Sequence, residues 1–131
     1  MPFGENTSVE TERVAREAVD AIYKIHSTLG PGLLESVYET CLEYELKKRG
    51  LSVERQKPVT VVYDEVRMEA GFRIDLLVNG CVLIELKAVE RMIPVFEAQL
   101  LTYLKLSGIR LGLLVNFNTK LIKEGIRRVI L

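Results

Sequence analysis

Tryptophan is absent, histidine occurs once (His26) and cysteine twice (Cys41 and Cys81) in a chain of 131 residues. One histidine and two isolated cysteines without Cys-x-x-Cys spacing make a poor zinc centre. The cysteines read instead as small core residues in a reducing compartment. No run of about 18 apolar residues exists, so no segment reads as a membrane span. Met1-Pro2-Phe3-Gly4-Glu5-Asn6 lacks the basic and apolar regions of a signal peptide, and the expected location is cytoplasmic. Net charge is missing too: 18 acidic residues balance 18 basic ones. No global positive field therefore steers a polyanion. Contact with nucleic acid would have to use a local basic patch, a second subunit or a bound metal.

What is present suits one globular domain: 48% of residues are apolar and 27% charged, and a chain of this length can close one core. Residues 1–7 read as a flexible leader and residues 8–131 as a single domain. Ser8 can cap a helix on which Val14, Ala18, Ala21, Ile22, Ile25 and Leu29 recur at helical spacing. Gly30-Pro31-Gly32 breaks it, and a second helix from about Leu33 to Arg49 stops at Gly50. The period then becomes that of strands. Val53 to Val62 predicts a first strand, and alternation of Phe72, Ile74, Leu76 and Val78 a second. Asn79-Gly80 marks a turn. Cys81 to Lys87 is nearly continuous in apolar residues and so reads as a central strand. A helix from Pro94 to Ser107, a strand from Leu111 to Val115 and a short amphipathic helix from Lys120 to Val129 complete the chain. The expected fold is α/β: a mixed four-stranded sheet flanked by helices, with a parallel pair joined through the crossover helix.

Glu85 and Lys87 interrupt the central strand, and alternation puts both on the face of Leu83. Asp75 repeats the anomaly on the preceding strand. Such charges either face solvent, with Asp75 paired to Arg73 or Lys87, or they form an oxygen-ligand site. Two carboxylates plus water suit magnesium or manganese, which take about six oxygens. A nearby lysine would then hold or activate a water. The turn decides between face-sharing and separation. A two-residue Asn79-Gly80 turn would put Asp75 and Glu85 on opposite faces. A three-residue loop, Val78-Asn79-Gly80, would pair Leu77 with Cys81, set Asp75 opposite Leu83 and leave it diagonal to Glu85. Glu35 lies in line with Tyr38, Leu42 and Leu46 at the start of the second helix. It is either an acid favoured by the helix dipole or a third carboxylate of the site, and Tyr38 is either a core aromatic or a support. Gln99 and Tyr103 share a face of the crossover helix beside Phe96, packed there or free to meet a phosphate or base edge.

Together, Gly32-Leu33-Leu34-Glu35-Ser36-Val37-Tyr38, the Asp75 strand, Glu85-Leu86-Lys87 and Gln99-x-x-x-Tyr103 resemble the GxxExxY proteins of the PD-(D/E)XK, or restriction-endonuclease-like, superfamily. The likeness runs from about residue 10 to 131. It implies a restriction-endonuclease-like core, αβββαβ, with an extra N-terminal helix. It also implies a metal-dependent nuclease. Asp75, Glu85 and the Leu86 carbonyl would bind Mg2+ or Mn2+, and Glu35 would reach the ion through water or help hold a second. Lys87 would position or activate the attacking water, while Gln99 and Tyr103 would orient the substrate. His26 lies where these proteins often carry a histidine, as a packed helix-end residue or a support. Ile74 stands where the proline of the superfamily's name would be. The expected partner is nucleic acid, DNA before RNA, with no membrane, and a homodimer is compatible with so small a nuclease. The alternatives are a non-catalytic nucleic-acid-binding or accessory protein with a nuclease-like fold, and a structural protein whose polar pairs merely support the sheet.

Overall fold

The computed structural model describes residues 7–131. Apart from Thr7, the expected leader lies outside the described residues. Helix α1 spans Val9–Leu29. The Ser8 hydroxyl caps it by accepting the Thr11 N–H at 3.0 Å, which satisfies one of the free donors of the first turn. Helix α2, Glu35–Lys48, follows the Gly30-Pro31-Gly32 break. Val14, Ala18, Ala21 and Ile22 on α1 and Tyr38, Leu42 and Leu46 on α2 are all fully buried. Large apolar side chains of this kind contribute roughly 1.5–3 kcal/mol each when removed from water. Arg49 fastens the two helices from outside, pairing with Glu45, Glu17 and Asp20 at 3.0, 3.1 and 2.8 Å. Partly exposed pairs add little to stability, so they orient the helices more than they hold them.

The strands are β1 (Val53–Tyr63), β2 (Val66–Val78), β3 (Val82–Lys87), β4 (Leu111–Asn116) and β5 (Ile126–Ile130), with α3 (Pro94–Ser107) between β3 and β4. They form one sheet in the order β1-β2-β3-β4-β5. Only β3 and β4 are parallel, and α3 makes their crossover; the other neighbours are antiparallel. Helices α1 and α2 cover one face, over Leu76, Ile84, Leu86, Leu113 and Val115. Helix α3 covers the other through Leu100 and Leu104, against Leu77, Leu83 and Leu114. Pro58 lies on the edge strand β1, where a missing N–H costs no ladder bond.

Two expectations are corrected. The sheet has five strands rather than four, and the short helix expected over Lys120–Val129 is a 3-10 turn, Ile122–Gly125, followed by β5. Ile122, Ile126 and Val129 do recur at helical spacing. Strand β4, however, is buried along its whole length, and without β5 one of its edges would carry unpaired backbone groups. Pairing of Leu111 with Ile130 through Val115 with Ile126 supplies that ladder, so tertiary demand outweighs the local period. Strand β2 also starts earlier than Phe72. Its register with β3 is confined to Leu76, Leu77 and Val78, and most of the β1–β2 ribbon extends past β3.

Gly125 seats this ending. A Cβ there would come within 2.2 Å of the Asn116 carbonyl oxygen, which is backbone and cannot swing aside. Gly125→Ala is predicted to cost about 1–3 kcal/mol, the usual range for forcing extra volume into a packed site. A urea titration unchanged from wild type would contradict this close approach.

Candidate functional site

Strand β3 fixes the first two residues. Leu83 packs on the α3 side, while Ile84 and Leu86 pack under α1 and α2. Glu85 and Lys87 thus share the face of Leu83, and the Lys87 ammonium sits 4.4 Å from the centre of the Phe96 ring on α3. Glu85 is only 7% exposed, and its Oε1 has no hydrogen-bond partner.

The turn has the odd length that a shared site needs, with a different closing pair from the one expected. Val78 pairs with Val82, and Leu77 with Leu83, so the loop is Asn79-Gly80-Cys81. Asn79 and Gly80 both adopt left-handed backbone, with φ of 50° and 65°. The Asn79 side chain accepts the Ser52 N–H at 2.8 Å and anchors the loop. Continuing this register sets Asp75 opposite Glu85, rather than diagonal to it.

Asp75 lies where β1 and β2 both change phase. Val53 packs under the α1–α2 layer but Val59 packs toward α3, although both are odd positions of β1. On β2, Leu76 faces the first layer and Ile74 the second. Between them stands Gln56, with φ of 53° inside a strand, opposite Asp75 by the register of Arg55 with Leu76 and Lys57 with Ile74. A left-handed residue turns the following side chains to the other face, at a cost on the order of 1 kcal/mol for a non-glycine. Asp75 Oδ2 accepts the Leu86 N–H at 2.8 Å and Oδ1 accepts Gln56 Nε2 at 3.2 Å. Asp75 forms no ion pair with Arg73 or Lys87 among the described residues.

These environments disfavour charge on the acids. The Glu85 carboxyl is pushed up to about 8, first by burial, then by Asp75 and Glu35, with Lys87 opposing. Burial also raises Asp75, against the Leu86 N–H. Glu35, the first residue of α2, is raised by desolvation and then by Asp75, although its side chain reaches solvent. Tyr103 is raised by burial and by the charges of Glu85 and Asp75, which places it in their field. Its ring stacks on Phe72 at 4.1 Å, and Gln99 Oε1, also on α3, is buried without a partner.

Tyr38 and His26 stand apart from the carboxylates. Tyr38 stacks on Phe117 at 4.3 Å, donates to the Gly30 carbonyl and accepts the Leu33 N–H. It thus shapes the loop that delivers Glu35. His26 Nε2 lies 2.7 Å from the Thr119 carbonyl oxygen and holds the segment after β4. Three residues escaped the sequence reading. Gln56 left no periodic signal. Glu39, buried and bonded to Arg55 and Gln56, did leave one, because it follows Glu35 by one helical turn. Asn116, 2% exposed, brackets Val89 by accepting its N–H and donating to its carbonyl, which fixes the chain just beyond Lys87.

The family model for the PD-(D/E)XK nuclease superfamily matches residues 12–129. The chain belongs to the PD-(D/E)XK nuclease superfamily. No curated protein and no solved structure matches it. The superfamily generally uses divalent metals, and the residues here fit one in chemistry: a carboxylate pair of hard oxygens, with Glu85 Oε1 buried and without a donor. Among the described residues, no three His, Cys, Asp or Glu side chains cluster closely enough to cage an ion by themselves. Side chains of this PD-(D/E)XK site would therefore leave room for a carbonyl and water.

The shift of Glu85 has a stability consequence with a definite sign. Its ordinary value is 4.5 and its folded value about 8, so between them the folded chain keeps a proton that the unfolded chain has lost. Stability of the metal-free protein should fall as pH rises through that window and level off above it. Glu85→Gln should flatten the fall and be the more stable protein at pH near 8, read from urea midpoints across the range. Equal slopes would contradict the burial of this carboxyl.

Proposed function

We propose that the chain is a divalent-metal-dependent nuclease that hydrolyses phosphodiester bonds, with DNA as the expected substrate. The observation that carries this is the unpartnered oxygen of buried Glu85, set opposite Asp75 and beside Lys87. A buried carboxylate oxygen without a donor is costly, and a cation is a partner that would convert this cost into binding. Asp75 and Glu85 would hold Mg2+ or Mn2+ with the Leu86 carbonyl, and Glu35 would act through water. The bound ion supplies Lewis acidity toward the phosphate and lowers the pKa of its water.

The remaining work falls to the chain's own groups. The Leu86 N–H and Gln56 fix the two oxygens of Asp75. Lys87 rests its ammonium against the Phe96 face, a contact that leaves its three donors free to orient a water or meet developing negative charge. Gln99 and Tyr103 line the α3 side, where a phosphate or base edge would lie. The Gly32–Tyr38 motif supports placing the chain in the GxxExxY branch. The neutral charge balance favours the rival reading, a non-catalytic accessory protein on the same fold, and the same experiment separates them.

Cleavage of single-stranded, double-stranded and branched DNA and of RNA should require Mg2+ or Mn2+. Lys87→Ala should lower the rate by about 100- to 10,000-fold, the usual contribution of proton-transfer catalysis, with folding and Mn2+ binding retained. Asp75→Asn should lose both metal binding and cleavage. Metal binding without cleavage of any substrate would favour the accessory protein. Lys87→Ala cutting as fast as wild type would discard the proposed role of Lys87.

A further inference from the structure

We propose that Gln56 is a positioning residue for Asp75, and that its neutral amide is what this place requires. This rests on the metal-dependent reading of the site. Gln56 Nε2 lies 3.2 Å from Asp75 Oδ1 and 3.0 Å from Glu39 Oε1. Its two N–H bonds can therefore point one at each carboxylate. Glu39 is held from its far side by Arg55, so the amide is anchored at one end and directs Asp75 at the other. With the Leu86 N–H on Oδ2, both oxygens of Asp75 have a fixed donor, and its carboxylate plane is set before any ion arrives. Second-layer bonds of this kind orient metal ligands.

The choice of residue follows from charge. A lysine or arginine at position 56 could also bridge Glu39 and Asp75. It would bring a positive charge against the ligand and compete with the cation. A glutamate would have no donor and would crowd a third acid between two. Glutamine alone among residues of this reach donates twice without charge. The backbone adds a second observation. Gln56 holds φ of 53°, where few non-glycine residues rest, and the phase of β1 and of β2 changes at this pair. Backbone and side chain thus both serve the placement of Asp75.

The left-handed backbone also provides a clean test. Glycine adopts positive φ freely, so Gln56→Gly deletes the amide and keeps the bend. The full chain should be titrated with Mn2+ by calorimetry and its metal-free form compared by amide NMR. For Gln56→Gly, the Mn2+ dissociation constant should rise about 10- to 100-fold, and the Leu86 amide resonance should move in the metal-free spectrum. Gln56→Lys should melt no lower than Gln56→Gly yet bind Mn2+ at least as weakly. A purely structural role would shift melting alone. Unchanged Mn2+ affinity in Gln56→Gly, or wild-type affinity in Gln56→Lys, would overturn the inference while leaving the metal reading intact. Wild-type protein that binds no Mn2+ would overturn both.

Discussion

Glu85 stands in a central strand whose other buried residues are apolar, and one of its oxygens meets no donor. Leaving such a group unpaired inside a protein is expensive, and the metal-free chain relieves the expense by keeping the carboxyl protonated well above the usual range. Most of the architecture around it can be understood as holding this residue in place. The β3–β4 parallel pair fixes its strand, α3 brings Phe96 against Lys87 and Tyr103 into its field, and α2 brings Glu35 and Glu39 toward its neighbour Asp75.

Strands β1 and β2 show how a fold can present a carboxylate without ion-pairing it away. Several basic residues pair with other acids: Arg49 across α1 and α2, Arg55 with Glu39 and Glu43, Lys57 with Glu54. Asp75 is left with a backbone N–H and a neutral amide. Lys87, the one cation on the Glu85 face of β3, rests on an aromatic ring. In the proposed metal site, Lys87 is then the positive charge felt by Asp75 and Glu85, although the chain as a whole is balanced.

Much of this was legible in the residues. Helical spacing located α1, the Gly30-Pro31-Gly32 break and Gly50 bounded α2, Pro94 marked the start of α3, and two-residue alternation exposed Glu85 and Lys87 as misfits on β3. The requirement that Asp75 and Glu85 share a face demanded an odd-length turn, and Asn79-Gly80-Cys81 has that length. The closing pair was off because Asn79 as well as Gly80 turns left-handed, and no pattern of apolar residues reports that. The C-terminal strand was hidden by a coincidence of spacing in Ile122, Ile126 and Val129, which only the unpaired edge of β4 resolves. Gln56 and Asn116 act through hydrogen bonds that cross between elements distant in sequence, where periodicity carries no information; Glu39 stands one helical turn after Glu35, but its bonds to Arg55 and Gln56 also cross between elements.

In the proposed metal site a cation would take the place of the proton on Glu85. Metal binding to protonated ligands releases protons, so Mn2+ binding measured by calorimetry in buffers of different ionisation enthalpy tests it directly. With the carboxyl near 8, about one proton should be released per ion at pH 7, and release should vanish well above pH 9. Binding at pH 7 without proton release, or no binding at all, would contradict it.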